Sequence, residues 1–523
     1  MTQSNDTPSI PEQDIATIQQ ENVQQRHHIQ ELQGQVKSLE KQIAWFKNQI
    51  FGPTSEKRLF QTSEQADLLA GLATDKPTLE APTETITYER KKGKKNRGEA
   101  INDTGLRFDE SVEVKEIRLA VPELDGPDAD NYIVIDEHIT CRLAQRRSSY
   151  IVLKYIQPVI KHKLSSVIIT KSAPTPVFEK SIADVSFLVG LILDKFLYHQ
   201  PLYRQHQHLQ LSGISLSRTT LTNYVHRSAK LLEPIYQTML KNILQSKVLA
   251  MDETPTKASR KQQGKMKQAW FWTMIGDQQE ILFYYSPSRA QKVVDELLCS
   301  FKGTLLTDGY AVYKGYVNGT EDVVHAQCWM HNRRNYFYAQ DDDPAGAEHA
   351  LNLIASLYKN EETIKQQGFE SEAALNYRLK YSKPIVDEFF NWVQEQRQRT
   401  DLLPAAPFAK ALKYSANHEE ALKVFLADPD VAMDTGAVER GLRPIPLGQK
   451  NWLFNWSEVG AHYTAILQSL IQTCRMQGIH PREYLIDVLQ RVDHHPAANI
   501  NDLTPSRWKQ LYDNDCLRSD LDG

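Results

Sequence analysis

The 523 residues exceed what one hydrophobic core usually organises, and 41% apolar with 24% charged residues is the composition of an ordinary globular protein. A collagen-like, mucin-like or wholly disordered chain is excluded, and the net charge of −4 means that any nucleic-acid surface must come from local basic clusters. The longest apolar stretch, near 185–193, is too short to span a membrane, and the N-terminus lacks signal-peptide order. Five scattered cysteines without a C-x-x-C pair argue against a disulfide framework. We expect a soluble, intracellular protein of three or four domains.

Residues 1–58 are predicted to form a coiled-coil oligomerisation region. Apolar residues, interrupted by Asn22 and Gln25, recur at alternating spacings of three and four. The seam consists of Ile15, Ile18, Asn22, Gln25, Ile29, Leu32, Val36, Leu39, Ile43, Phe46 and Ile50. The pattern favours a homo-oligomer, and the alternative is a long amphipathic helix that packs on its own chain.

Residues 59–109 are interpreted as a basic flexible linker, poor in aromatic residues. Its basic run could neutralise several phosphates of DNA, although a merely solvated linker is the alternative. The DNA-binding candidates here are Arg90, Lys91, Lys92, Lys94, Lys95 and Arg97.

Two further regions precede the strand-rich centre of the chain. Residues 110–175 contain short β-rich runs, whereas 176–245 follow a helical pattern. Within the helical region, 213–217 separates two amphipathic segments, the second predicted over 219–232 with Ser217 as its N-cap. This arrangement is typical of a helix-turn-helix, but a glycine turn also joins helices in plain bundles.

Residues 246–455 are predicted to form an α/β core. Apolar runs end in Asp252 and in Asp308, and two strands, 269–275 and 280–285, and a helix lie between them. A fifth strand follows at 323–328, and 340–430 reads as a helical insertion. This order is that of a ribonuclease-H-like fold, in which the first and fourth strands are neighbours. Asp252 and Asp308 are therefore expected to lie next to each other.

The remaining chain is predicted to be a helical region at 456–495 and a tail at 496–523, whose end from residue 512 onward is expected to be frayed. The fold class is thus multidomain α+β. Its parts are an N-terminal coiled coil, a small β-rich module, a helical DNA-binding-like region, the α/β core with its insertion, and a helical C-terminus.

Two neighbouring buried aspartates repel one another unless a cation lies between them. Oxygen ligands suit Mg²⁺ or Mn²⁺, and two such ions can activate the attacking oxygen and stabilise the leaving oxygen of a phosphodiester. Glu439 is the candidate third ligand and catalytic residue beside Asp252 and Asp308. Asp434 is its nearest rival and is more typical of a helix cap. The alternative for each acid alone is a turn or cap residue.

Basic residues around these acids predict a DNA substrate. The loop joining the first two strands carries cations without an acid, and others follow the fifth strand and Glu439. The candidates are Lys257, Arg260, Lys261, Arg333, Arg334, Arg440, Arg443 and Lys450. His325 and His331 are more typical of structural histidines, Trp270 and Trp272 of core residues, and Cys328 of a buried small side chain.

Several long strings resemble the transposase of the insertion-sequence-66 family over roughly residues 29–492. They are FGPTSEKR (51–58), HQPLYRQ (199–205), MDETP (251–255), LLTDGYAVY (305–313), CWMHNRRNYF (328–337), VERGLRPIPLGQKNWLF (438–454) and SLIQTCRMQGIHPREYLIDVL (469–489).

The resemblance implies a bacterial, nucleoid-associated DDE transposase with Asp252, Asp308 and Glu439 as its triad. It further implies Mg²⁺ or Mn²⁺ as cofactor, element ends and target DNA as partners, small accessory proteins from the same element, and no membrane. The family usually carries a cysteine-based zinc module, but only Cys141 lies in 110–175, so we expect a β-rich remnant without zinc. The alternatives are a catalytically inactive DNA-binding relative and a metal-dependent nuclease without strand transfer.

Overall fold

A computed structural model describes residues 106–146, 149–165, 167–259 and 266–522. The predicted coiled coil and all but the last residues of the basic linker lie outside these ranges. So do Arg260 and Lys261.

The first part of the described chain is a twisted antiparallel hairpin with short strands along it. Its elements are β1 (Arg107–Phe108), β2 (Glu113–Arg118), α1 (Pro122–Asp125), β3 (Tyr132–Arg146), β4 (Ser149–His162) and β5 (Ile168–Thr170). β4 is the central strand, since β3 pairs along its whole length and both β2 and β5 pair with its other edge. Cys141, the residue on which the zinc argument depended, is buried in β3.

Helices cover one face of this hairpin. They are α2 (Val185–Phe196), α3 (Leu202–Leu211) and α4 (Arg218–Ile243), with β6 (Ile214–Ser215) before α4 pairing with β1. Ser217 caps α4 as predicted, because its Oγ accepts the amide of Thr220 at 3.0 Å. The predicted end of this helix at residue 232 is wrong: Pro234 lies inside α4, and the buried side chains of Tyr236 and Met239 continue its apolar face.

The centre of the molecule is a five-stranded sheet. Its strands are β7 (Val248–Ser259), β8 (Met266–Ile275), β9 (Ile281–Ser286), β10 (Gly303–Thr307) and β11 (Val323–Gln327), in the spatial order β11-β10-β7-β8-β9. β7, β8 and β9 are antiparallel neighbours, whereas β10 runs parallel to both β7 and β11. The predicted adjacency of the first and fourth strands is confirmed. Helices α5 (Gln291–Leu297) and α6 (Ala311–Asn318) connect β9 to β10 and β10 to β11.

The predicted loop between the first two strands is shorter than expected. β7 continues to Ser259 and β8 begins at Met266, so Lys257 lies on a strand opposite Gln268. The cations had been placed on a loop, but the strands continue, and along β7 the exposed Lys257 lies between the buried Thr256 and Ala258.

A helical insertion follows β11 and packs against the β10–β11 side of the sheet. It comprises α7 (Trp329–Phe337), α8 (Pro344–Gln367), α9 (Ser371–Tyr377), a π-helical turn (Arg378–Ser382), α10 (Lys383–Arg397), α11 (Pro407–Asn417) and α12 (Glu419–Lys423). Aromatic residues including Trp329, Tyr336 and Phe389 form its core, which joins Leu306 and Ala326 of the sheet. The insertion therefore packs against β10, the strand that leads into Asp308.

The chain then returns to the sheet through α13 (Gly436–Leu442) and α14 (Pro444–Trp452). The last helices are α15 (Glu458–Met476), α16 (Pro481–Arg491) and α17 (Pro505–Leu511). α15 covers the edge strand β9, where the hydroxyls of Ser469 and Thr473 accept the amides of Phe283 (2.9 Å) and Ile281 (3.1 Å). Hydroxyl groups on a helix thus accept hydrogen bonds from strand amides that would have no protein partner at an uncovered sheet edge.

The expectation of a frayed end is wrong. Ser519 Oγ donates to the buried carboxylate of Asp184 at 2.6 Å, and Tyr155 Oη donates to Asp520 at 2.6 Å. Residues 519–520 therefore fasten the end of the described chain to the β3–β4 hairpin and α2. In the part of the chain that the structure describes, we find no helix with the length and apolarity needed to cross a membrane.

Candidate active site

Asp252 lies within β7, one residue before the buried Glu253. Because side chains alternate along a strand, these two carboxylates point to opposite faces of the sheet. Asp252 Oδ1 accepts the amide of Glu253 at 2.7 Å.

Asp308 directly follows β10, where one of its oxygens accepts the amide of Tyr310 at 2.9 Å. The parallel register pairs Leu306 with Ala250. Two residues further along each strand lie Asp308 and Asp252, so the sheet brings the two predicted aspartates to the same edge.

Glu439 lies in the first turn of α13 and faces Arg334 and His331 of α7. Its Oε1 lies 3.3 Å from Nη2 of Arg334 and 3.6 Å from Nε2 of His331. Asp434, the rival candidate, is engaged locally, because it accepts the amide of Gly436 at 2.8 Å and the hydroxyl of Tyr358 at 2.9 Å.

The pKa of Asp252 depends on the charges of the neighbouring carboxylates. Burial and the negative charges of Glu253, Asp308 and Glu439 together raise the pKa of Asp252 to about 7. The charges of Asp308 and Glu439, the two other acids that the sequence singled out, therefore act on Asp252.

The oxygen donors and the raised pKa of Asp252 fit a hard divalent cation. Within the described ranges, no three His, Cys, Asp or Glu side chains converge closely enough to hold one ion between them.

Sequence reasoning missed a buried network on the other face of β7. The carboxylate of Glu253 accepts hydrogen bonds from Nε (2.8 Å) and Nη2 of Arg289 and from the hydroxyl of Tyr313. The Arg289 guanidinium lies 3.9 Å from the ring centroid of Tyr310, whose amide binds Asp308. The network therefore links the backbone beside Asp252 to the loop that carries Asp308. In the sequence, the only indication of this network was the acidic Glu253 directly after Asp252.

His331 was interpreted as structural, yet it lies at the site. Burial lowers its pKa, while the charges of Asp308 and Glu439 act in the opposite direction. Its Nδ1 is buried and, among the described residues, has no hydrogen-bond partner. The other histidine, His325, is held by Thr307 at 2.9 Å, and burial lowers its pKa to about 4.

Comparison with known families decides what kind of protein carries this site. Residues 180–463 match the family described as "Transposase IS66 family". The chain belongs to this transposase family. Residues 469–506 match the "IS66 C-terminal element" and residues 38–104 match "Transposase C of IS166 homeodomain".

Relatives of this IS66 chain occur in Sinorhizobium fredii (strain NBRC 101917 / NGR234). The uncharacterized protein y4hP is 27% identical over 362 residues, which cover 65% of this chain and 64% of y4hP. The uncharacterized protein y4qI is 26% identical over 354 residues, which cover 64% of this chain and 65% of y4qI. The chain thus spans slightly less than two thirds of either relative.

The predicted DNA-binding residues of the IS66 chain fall into three groups. Lys257, Arg333, Arg440, Arg443 and Lys450 are exposed around the site. Arg334 is also exposed but is paired with Glu439. Arg260, Lys261 and the basic run from Arg90 to Arg97 lie outside the described residues, and the run falls inside the homeodomain match.

Proposed function

We propose that this chain is a DDE transposase that binds the terminal inverted repeats of a bacterial insertion sequence and catalyses metal-dependent DNA strand cleavage and strand transfer. The observation that carries the proposal is the parallel register of β7 and β10, which places Asp252 and Asp308 at the same end of neighbouring strands in a chain of the IS66 transposase family. The strand order β11-β10-β7-β8-β9, with β10 parallel to β7, supports a ribonuclease-H-like core.

Asp252, Asp308 and Glu439 are proposed to hold two Mg²⁺ or Mn²⁺ ions. When bound, such ions activate a water or a 3′-hydroxyl and stabilise the leaving oxygen of the phosphodiester. The chain itself positions the acids. Asp252 and Asp308 come from neighbouring parallel strands and the short segment after one of them, and Glu439 comes from α13. Glu439 contacts Arg334 and His331, which keeps α13 next to α7.

The exposed cations are proposed to hold the DNA backbone. Arg440 and Arg443 follow Glu439 along the chain, Lys450 lies on α14, and Lys257 lies on the strand of Asp252. Phosphate contacts from such residues fix the register of the duplex without reading its sequence. The N-terminal coiled coil is proposed to join protomers into a homo-oligomer. We further propose that small accessory proteins of the same element assist the reaction, and that the protein acts in the cytoplasm at the nucleoid.

A cellular transposition assay tests the proposal. A marked copy of the complete native element is compared with one that carries Asp252→Ala. We expect movement with the unchanged protein and none with the variant. Movement in both would mean that another enzyme acts on the ends.

The two alternative functions separate in purified reactions with DNA that contains the ends. Cleavage without joined products would identify a nuclease. Binding without cleavage in the presence of Mg²⁺ or Mn²⁺ would identify an inactive DNA-binding relative.

A further inference from the structure

An aromatic pair, an exposed tryptophan with a half-buried phenylalanine, lies next to the strand of Asp252, and neither the acids nor the phosphate contacts account for it. The rings of Phe454 and Trp456 stack at 28°, with centroids 5.6 Å apart. The Trp456 residue is 68% exposed, although tryptophan is usually mostly buried. We call Phe454 and Trp456 the aromatic platform.

A buried residue between them fixes the platform to the strand of Asp252. The amide of Asn455 donates to the carbonyl of Lys257 at 2.9 Å, and its Nδ2 donates to Thr256 Oγ1 at 3.1 Å. Its Oδ1 accepts from Thr464 Oγ1 at 3.2 Å. With both the oxygen and the nitrogen of its side chain engaged, the buried Asn455 fixes this segment to β7, and the neighbouring Trp456 remains exposed.

The backbone that leads into the platform is in an unusual conformation. Leu453 has φ of +66° and is 69% exposed. A non-glycine residue with positive φ costs free energy, and such strain is found most often at functional sites. Burial of apolar surface does not explain the positive φ of Leu453, because the side chain of this residue is exposed to solvent.

Three cations belong to the segments that lead into the platform or bind it. Lys450 is on the helix that precedes it, Lys257 is the strand residue to which Asn455 binds, and Arg204 donates to Asn451 at 3.2 Å. The acid that follows, Glu458, accepts a hydrogen bond from Tyr285. An aromatic face among cations matches the two chemical features of a nucleic acid strand, a base and its phosphates.

We propose that the aromatic platform stacks on an unpaired base of the DNA strand that enters the active site. The inference rests on the proposed function for the identity of the DNA. Thr256 lies four residues from Asp252 on β7, about 13 Å along a strand. At roughly 3.4 Å per nucleotide of a B-form strand, the stacked base lies within about four nucleotides of the phosphodiester that is cut.

The test measures affinity for bases separately from affinity for phosphates. The full chain and its Trp456→Ala, Trp456→Phe and Tyr381→Ala variants are titrated with two single-stranded oligonucleotides of equal length, one of thymidylates and one abasic. Tyr381 is the matched control, because it is also an exposed aromatic residue, 43% exposed, with Lys380 over its ring, but lies in the helical insertion. Phosphate contacts from other parts of the chain cancel in the ratio of the two affinities.

We expect the unchanged protein to prefer the thymidylate strand by about 5- to 150-fold, the range for stacking of one base. Trp456→Ala should remove most of that preference, whereas Trp456→Phe and Tyr381→Ala should retain it. An unchanged preference in Trp456→Ala, or equal affinities for the two strands in the unchanged protein, would overturn the proposal. Metal-dependent cleavage does not enter this ratio, so a failure of the proposed function would be seen separately, in the transposition assay.

Discussion

Nη2 of Arg334 lies 3.3 Å from Oε1 of Glu439, in a contact between helices that are 105 residues apart along the chain. The pair gives the site an uneven charge distribution. Glu439 is partly neutralised from the protein side, whereas Asp252 is surrounded by acids and its pKa is raised to about 7. If Glu439 binds a metal ion as proposed, its contact with Arg334 must change.

Arg334 and its neighbour Arg333 are therefore expected to act differently, although both were predicted to contact DNA. Arg334→Ala should lower the cleavage rate by about 10- to 100-fold with little loss of DNA affinity, the effect typical of residues that orient metal ligands. Arg333→Ala should weaken binding and reduce the slope of log affinity against log salt by about 1. Titrations at several salt concentrations and single-turnover cleavage measure both. The same binding loss in both variants would place Arg334 on DNA.

Asp308→Ala is expected to abolish metal-dependent cleavage of DNA that contains the element ends. Binding of the same DNA should be largely unchanged, because removing a carboxylate does not remove a phosphate contact. Gel analysis of cleavage and a titration of binding test this together. Normal cleavage by the variant would remove Asp308 from the mechanism.

Arg289→Ala should destabilise the fold. The side chain of Glu253 is 1% exposed and that of Arg289 is 41% exposed, so the change leaves a buried carboxylate without its cation. We expect a loss of about 2–3 kcal/mol in the free energy of unfolding, measured in urea. The control is Lys292→Ala, whose partner Glu296 is exposed, and which should change stability by less than about 0.5 kcal/mol. Equal effects in the two variants would contradict the role given to the buried pair.

Tyr155→Phe tests the attachment of residues 519–520. It removes the 2.6 Å hydrogen bond to Asp520 without changing the packing of the ring. Stability should fall by about 1 kcal/mol, and proteolysis near the end of the chain should become faster. Tyr198→Phe, at an exposed tyrosine, is the control. If both variants behave as the unchanged protein does, the attachment contributes nothing.

Polar substitutions at Ile29, Leu32, Val36 and Leu39 are expected to lower the oligomeric state, because they remove the predicted coiled-coil seam. Light scattering of the full chain gives the mass. Lys37→Gln, outside the seam in the same heptad pattern, should leave the mass unchanged. An unchanged mass in the seam variant would refute this segment as the assembly interface.

The order of the central strands could be predicted because each is a short apolar run with a clear end. The runs before Asp252 and Asp308 are of this kind, and their adjacency followed from the order alone. The extension of β7 to Ser259 could not be predicted, since alternation of exposed Pro255 and Lys257 with buried residues has no continuous apolar signal.

The sequence proposes the acids of the candidate site, but the partners that these acids have in the structure could not be predicted. Glu253 is buried although glutamate is usually exposed, and its cation Arg289 lies on a loop that carries no motif. The contact of Tyr155 with Asp520 joins residues 365 apart. Such pairings depend on the complete tertiary structure, which local periodicity does not contain.

The attachment at residues 519–520 also has a consequence for synthesis. Ribosomes make the β3–β4 hairpin early, and proteins generally fold from the N-terminal side during translation. The hydrogen bonds of Tyr155 with Asp520 and of Asp184 with Ser519 nevertheless cannot form until nearly the whole described chain has been made. A nascent chain that stops short of residue 519 therefore exposes an incompletely bonded hairpin to proteases. We expect such truncated chains to be degraded faster than the 523-residue chain.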